Sequence, residues 1–218
     1  MSKNYFSNIK FFNDNISLGF FSRNDGFSKN NFNSLNCSYS SGDRNYLVKK
    51  NIKYAQKNLN LEKTNLKILS QIHSNKVINI NDKNFSKKFL GDGMITQDKK
   101  ISIAILTADC CPVFIFDRDA TFIACLHIGW KGCYNNIIEN AFKKIKKIQA
   151  ETKKIFAVTG PCLDKKNFEV DLQFRKNFKS LELSYDKFFF KKKISNKYLF
   201  DMLGLINFQL RNNGIHNI

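Results

Sequence analysis

A chain of 218 residues can build one domain with a sizeable core and is short for two. Its 43% hydrophobic content excludes a disordered protein, and no apolar run approaches the roughly 18 residues that a membrane helix needs. The formal net charge is +18, but Lys and Asn recur from end to end, so the charge reads as compositional. It favours anionic ligands such as phosphate. No stacking module of aromatic and basic residues accompanies it, so no specific nucleic-acid partner is expected.

Six cysteines are present, at 37, 110, 111, 125, 133 and 162. Residues 1–12 contain no apolar leader segment, so these thiols read as reduced and the protein as cytoplasmic. In chain order, strand-like runs cover residues 18–21, 66–71, 77–80, 94–96, 101–116, 121–128 and 155–160. Helix-like runs cover 46–59, 135–148, 172–177 and 202–212. The helix at 135–148 is the clearest. Ile137, Ile138, Ala141, Phe142, Ile145 and Ile148 fall on one face, with Lys143, Lys144, Lys146 and Lys147 opposite. Strands and helices mix without strict alternation, which predicts an α+β fold in a single domain over 1–218.

The run at 101–116 contains "LTADCCPVF", where Thr107, Asp109 and two cysteines interrupt an apolar strand. Buried polar groups are costly unless paired, so these residues call for a reason. "DRDA" at 117–120 predicts a hairpin joining this run to 121–128. A symmetric even loop places Cys110 directly across from His127. Alternation then turns Cys111 to the other face with Asp109 and Thr107, as a small core residue. Cys125 and Cys133 read as structural.

Histidine occurs only three times, at 73, 127 and 216. His73 follows a strand in "QIHSNKV", and His127 ends one in "HIGWKG", ahead of the amphipathic helix. Strand-to-helix loops of this kind carry function more often than packing. His73, Cys110 and His127 together offer two imidazoles and a thiolate, a set that suits zinc with an open fourth position for water or substrate. Zinc would hold the thiolate and lower the pKa of a bound water toward about 7. A metal-free Cys110–His127 nucleophile and base pair fits the same residues.

"QIHSNKV", "DGMIT", "LTADCCPV", "HIGWKG" and "GPCLDKKNFEV", in this order, resemble the bacterial YfiH-type laccase-domain family. That family is also called multicopper polyphenol oxidoreductase and purine nucleoside phosphorylase. "GFFSRNDGFSKNNFNSLN" and "LFDMLGLINFQLRNNGI" resemble its first and last segments. The resemblance implies a four-layer α/β/β/α sandwich with mixed sheets. It also implies zinc, with copper as the other candidate ion, on His73, Cys110 and His127. Arg23, Asn36, Gln71, Asp92, Asp109 and Lys131 are implied as substrate-binding residues.

The implied activity is phosphorolysis of adenosine, inosine, guanosine and methylthioadenosine to free base and ribose 1-phosphate, with adenosine deamination beside it. The partners are then nucleosides and phosphate, with no membrane, and the expected state is a monomer or homodimer. The alternatives are a metal-free Cys–His hydrolase or deamidase, a single-copper polyphenol oxidase, and an inactive relative. Centres with several coppers need many imidazoles, which three histidines do not supply.

Three departures accompany the resemblance. Lys131 stands where the family usually has Arg, and Phe168 where it has Tyr. The family's further C-terminal strand, with two arginines, has no counterpart here.

Overall fold

The computed structural model describes residues 5–6, 16–148, 155–193 and 195–218, so most of the stretch read for a leader at 1–12 lies outside the described residues. The chain runs β1 (Tyr5–Phe6), β2 (Phe20–Phe21), α1 (Asn45–Asn58), β3 (Asn65–Ile68), β4 (Val77–Asn79), β5 (Gly93–Thr96) and β6 (Ile101–Ala104). There follow β7 (Cys111–Asp117), β8 (Ile123–Ile128), α2 (Trp130–Tyr134), α3 (Ile137–Lys146) and β9 (Ile155–Thr159). It ends with β10 (Glu169–Val170), α4 (Leu172–Leu181), β11 (Phe189–Lys191), β12 (Tyr198–Phe200) and α5 (Met202–Asn212).

The α+β expectation holds, with several sheets. The largest has five strands in the order β4-β5-β8-β7-β9. Its β4–β5 pair is parallel and the other pairs are antiparallel. Alternation gives this sheet two faces. On one, Val113, Ile115, Ala124, Leu126 and Ile128 pack with Ile138, Ala141 and Ile145 of α3 and with Leu205, Ile206 and Leu210 of α5. Each Val, Ile or Leu among them contributes on the order of 1.5–3 kcal/mol by leaving water. On the other, Met94 and Cys125 pack with Leu69, Ile80 and Ile101, toward the two-stranded sheet β3-β6. Gln56 of α1 donates to the carbonyls of Leu61 and Thr64 at the entry to β3.

The structure corrects three expectations. The run at 101–116 is two strands in two sheets: β6 pairs parallel with β3, and β7 pairs with β8 and β9. The chain between them is tied to Gln71, whose side-chain amide donates to the Leu106 carbonyl and accepts from the Leu106 N–H, both at 2.7 Å. Thr107, Ala108 and Asp109 are exposed there, so the polar residues of "LTADCC" need no buried partner.

The hairpin register is also shifted by two residues. Pro112, and not Cys110, pairs with His127. The loop closes around the buried Asp117, which accepts from Thr121 N at 2.7 Å, Thr121 Oγ1 at 2.7 Å and Phe122 N at 3.3 Å, with Phe122 anchored in the core. A slip of two preserves side-chain faces. Cys110 therefore keeps the face of His127, just beyond the end of the ladder.

The helix expected at 135–148 is α3, Ile137–Lys146, with its apolar face buried as read, and the short α2 precedes it. Asn136 separates them in the left-handed region at φ 53° and caps α3, its side chain accepting from Glu139 N at 3.4 Å and donating to Glu139 Oε2 at 3.0 Å. The Asn136 backbone N–H bonds to the Cys133 carbonyl instead, so Glu139 returns to the cap side chain and not to its backbone as in a capping box.

Between 168 and 200 the sequence reading found only a helix at 172–177. The structure extends it to Leu181, where Phe178 reaches the core, and adds the three-stranded sheet β10-β12-β11. Arg175 fastens α4 to this sheet. It pairs with Asp186 through Nε–Oδ1 at 2.7 Å and Nη2–Oδ2 at 2.8 Å, and donates to the Tyr198 hydroxyl at 3.1 Å. The Arg175 hydrogen bonds outweigh the cost of burial and hold the Asp186 carboxyl below the usual carboxylate range, with help from Lys179. A depressed folded pKa stabilises above the unfolded value of about 3.9 and is lost as pH falls below it. Asp186→Asn is expected to cost about 1 kcal/mol at pH 7, because the bidentate pair is partly solvated. In thermal melts this corresponds to a loss of about 2–4 °C, and the gap to the parent closes as the pH is taken below about 4.

Candidate metal centre

Strand β8 is central in the five-stranded sheet, with β5 on one side and β7 on the other. This order assembles the site. His127 is the penultimate residue of β8. Gly93 pairs with Leu126, so Asp92 arrives opposite His127 from one side, and the His127 N–H donates to the Asp92 carbonyl at 2.7 Å. Pro112 pairs with His127 from the other side and carries Cys110 to its edge. His73 comes from the loop between β3 and β4.

One ligand atom each from His73, Cys110 and His127 lies within 4.8 Å of the others. The two imidazoles meet edge to face, with centroids 4.8 Å apart and an interplanar angle of 73°. His127 is 4% exposed, Cys110 is half-buried and His73 is exposed, so the cluster opens to solvent on the His73 side.

Asp92 lies fully buried beneath the cluster. Its Oδ1 accepts from His127 Nδ1 at 2.9 Å and His73 N at 2.9 Å. Its Oδ2 accepts from Ser74 N at 2.6 Å, Ser74 Oγ at 2.7 Å and Ile72 N at 3.3 Å. Burial alone would raise its pKa, but the hydrogen bonds from His127, Ser74 and His73 overcome this and hold it at about 2. Burial likewise opposes charge on His127, yet Asp92 and the neighbouring Cys110 push its pKa up to about 9. A carboxylate only accepts, so Nδ1 carries a proton in either charge state, and Nε2 is the nitrogen that a metal ion would take on displacing its proton. This carboxylate–histidine pair is the arrangement that orients imidazole ligands of metals.

The loop amides held by Asp92 also sustain His73 at φ 55°, a left-handed conformation that a non-glycine residue adopts at a cost. Gly129 supplies the last requirement. A Cβ on it would stand 2.7 Å from Cys110 Sγ and 3.5 Å from His73 Cδ2. Two imidazoles and a thiol, open on one side and braced by a carboxylate, fit a zinc ion, and the donor set is soft enough for copper.

The other expected site residues are more dispersed. Asp92 does not face the cleft as a substrate ligand would, since its carboxylate bonds to His127 at the end of β8 and to the 72–74 loop that carries His73. Gln71 is clamped to the Leu106 backbone two residues before His73. Asp109 is exposed beside Cys110, and its carbonyl accepts from Leu163 N at 2.9 Å. Lys131 is exposed on α2, its ammonium 5.6 Å from the Trp130 ring centroid.

Arg23 and Asn36 line a cavity of about 910 Å³ that reaches Thr107, Ala108 and Pro112. Arg23 donates Nε and Nη2 to the Asn33 carbonyl at 3.0 and 2.6 Å. Asn36 donates to Ser41 Oγ at 2.7 Å and Asp43 Oδ2 at 3.1 Å. Sequence reasoning missed Ser74 and the steric role of Gly129. The first lies next to His73 in "QIHSNKV", and the second is the glycine that follows the strand in "HIGW".

Residues 17–218 match the family described as multi-copper polyphenol oxidoreductase laccase. The chain belongs to that family. It is 34% identical over 151 residues to a purine nucleoside phosphorylase of Rickettsia conorii, covering 69% of this chain and 62% of that protein. A Campylobacter jejuni protein of the same name is 34% identical over 154 residues, again 69% and 62%. The match thus spans under two thirds of the length of these relatives.

The crystal structure of a Neisseria meningitidis protein superposes with a TM-score of 0.86 at 26% identity, covering 99% of this chain and 86% of that one. Bacillus licheniformis hypothetical protein YfiH gives a TM-score of 0.82 at 25% identity, covering 91% and 78%. No helix among the described residues is long and apolar enough to cross a membrane.

Two substitutions test the architecture of the centre. Asp92→Asn removes the anionic acceptor, and Zn²⁺ affinity by competition titration should fall about 10–100-fold. Gly129→Ala drives a methyl into Cys110 Sγ and should weaken Zn²⁺ by at least about tenfold, as support lost around a ligand does elsewhere. Unchanged affinity in both variants, with native circular dichroism, would remove the metal assignment.

Proposed function

We propose that this protein is a zinc-dependent purine nucleoside phosphorylase. The observation that carries the reading is the convergence of His73, Cys110 and His127 on one point, braced from below by Asp92. The names of the relatives supply the reaction class. In that reaction a phosphate oxygen bonds to C1′ of the ribose as the C1′–N9 bond breaks, and the purine leaves as its neutral base with a proton on N7.

Zinc held by the three ligands supplies Lewis acidity toward an oxygen of substrate. Asp92 keeps the Nδ1 proton on His127 and so keeps Nε2 available. Lys131, exposed on the first turn after Gly129, offers a cation to phosphate, as a point charge where Arg would bind in two-pronged fashion. Asp109, exposed beside Cys110, is the carboxyl group placed to hold a ribose hydroxyl or to exchange the N7 proton. Gln71 holds the loop that carries Asp109. Six free thiols suit the reducing cytoplasm.

A metal-free Cys–His hydrolase is the second reading. It is favoured by Cys110 Sγ lying within 4.8 Å of a His127 ring nitrogen, with Nδ1 of that ring held by Asp92. It differs in outcome: activity would survive chelation and be abolished by iodoacetamide. Multicopper oxidation is disfavoured by the count of three histidines in the chain.

The test is purified protein assayed for metal and for purine release from inosine and adenosine. The expected result is about one zinc per chain, with three ligands forming one open site, and base release that requires phosphate. Cys110→Ala should lose both. Undiminished release in Cys110→Ala would refute the zinc and the thiol readings together.

A further inference from the structure

Lysine is spread along the whole chain, but the fold gathers four lysines around one hollow. A cavity of about 390 Å³ is lined by Lys76 from the start of β4, by Lys143, Lys144 and Lys147 from α3 and its end, and by the apolar Val77 and Ile78. Lys76, Lys143 and Lys147 are exposed and Lys144 is half-buried. The Lys76 side is fixed in place. Its carbonyl accepts from the Asp92 N–H at 3.0 Å and the Gly93 N–H at 3.1 Å, and its own N–H donates to Ser74 Oγ at 3.2 Å. Two asparagines tie this segment to the helical side. Asn140 Nδ2 donates to the Asn75 carbonyl at 3.1 Å, and Asn75 Nδ2 donates to the Asn135 carbonyl at 2.9 Å. The two walls are therefore set relative to each other before anything binds.

We propose that this hollow is a binding site for a phosphate chain, the linked phosphates of a nucleotide or of an inorganic polyphosphate. The site does not rest on the phosphorylase reading. Lysines in the last turn of a helix complement its dipole, and that alone would explain Lys143 and Lys144. It does not explain Lys76, which arrives from a different element, nor the missing counter-charge. Lys143 has Glu139 at 2.7 Å, whereas no carboxylate among the described residues pairs with Lys76, Lys144 or Lys147. Lys146 is the contrast: it does not line the hollow, and its ammonium lies over the Phe142 ring, 5.0 Å from the centroid.

Like charges brought to one hollow repel, and an anion inside it relieves that repulsion. An ammonium group is a point charge with three donors, and phosphate oxygens are strong acceptors for it. Linked phosphates carry negative charge at several points, so one chain can meet Lys76 and the α3 lysines together. A single orthophosphate satisfies fewer of them. No acidic or aromatic residue is among the described lining, so recognition comes from the phosphates and not from a stacked base. The concave shape suits a small anion in place of the backbone of a nucleic acid.

The experiment titrates the purified full chain at low salt with inorganic tripolyphosphate, ATP and orthophosphate by calorimetry. Tripolyphosphate and ATP should each bind once per chain, and orthophosphate at least about tenfold more weakly. Tighter binding of ATP than of tripolyphosphate assigns the chain to a nucleotide, and the reverse assigns it to an inorganic polyphosphate. The double variant Lys76→Ala/Lys144→Ala should weaken tripolyphosphate by about tenfold, as the loss of two partly solvated charge contacts. Lys57→Ala/Lys166→Ala, which removes the same charge from exposed positions elsewhere, should leave it unchanged. Equal losses in the two double variants would show attraction to net charge alone and overturn the site. So would a loss that follows Lys131→Ala, which places the phosphates at the metal centre. Tighter binding of a single-stranded oligonucleotide than of tripolyphosphate, or no binding by the parent, would overturn it as well. Circular dichroism checks the fold of each variant. The readout is binding of the phosphate chain, so it stands apart from whether any nucleoside is turned over.

Discussion

The candidate centre depends on one buried carboxylate. Asp92 is fully buried, and a carboxylate there is tolerable only if its oxygens are satisfied. Its partners come from two places that are otherwise unconnected, the end of β8 and the loop after β3. Satisfying Asp92 therefore brings His127 and His73 together. The same bonds settle the His127 tautomer and hold the His73 backbone in the left-handed region. A loop histidine on an exposed segment would otherwise sample many orientations, and each would have to be lost on binding an ion.

The second constraint is the two-sidedness of the central sheet. Its helix-facing side is filled by Ile, Leu, Val and Phe from β7, β8, α3 and α5. The other side ends in the cluster. One strand thus presents two cysteines to two environments. Cys110 joins imidazoles at an edge open to water, and Cys111 joins the core. Chemistry is confined to the end of the sheet because β7 and β8 cease pairing there. Gly129 then leaves room for the Cys110 sulfur where any side chain would displace it.

Much of this was legible in the residues. The α5 limits were read as they stand, Met202–Asn212, because apolar spacing and an Asp at the cap mark them locally. The three candidate ligands were legible because histidine is rare here and each lies beside polar residues at a strand end. The split of 101–116 was not legible. Residues 101–104 and 111–117 are equally apolar, and only the Gln71 side chain, 35 residues from Leu106, marks the exit from one sheet. The hairpin slipped by two because Asp117 takes three donors from the returning strand and Phe122 must reach the core. Sheet β10-β12-β11 was invisible because its strands are two or three residues long and alternate too briefly to register.

The sequence by itself determined an α+β chain, its principal helices, its face alternation and the identity of three ligand candidates. Each of these follows from local spacing, which is set by the geometry of a helix or a strand. Only the tertiary structure decided that Asp92 lies under the ligands and not in the cleft. It also decided that Gln71 serves the backbone and that Arg23 and Asn36 line a cavity reaching the 107–112 loop. These outcomes turn on which distant group satisfies a buried donor or acceptor, and that pairing exists only once the chain has closed on itself.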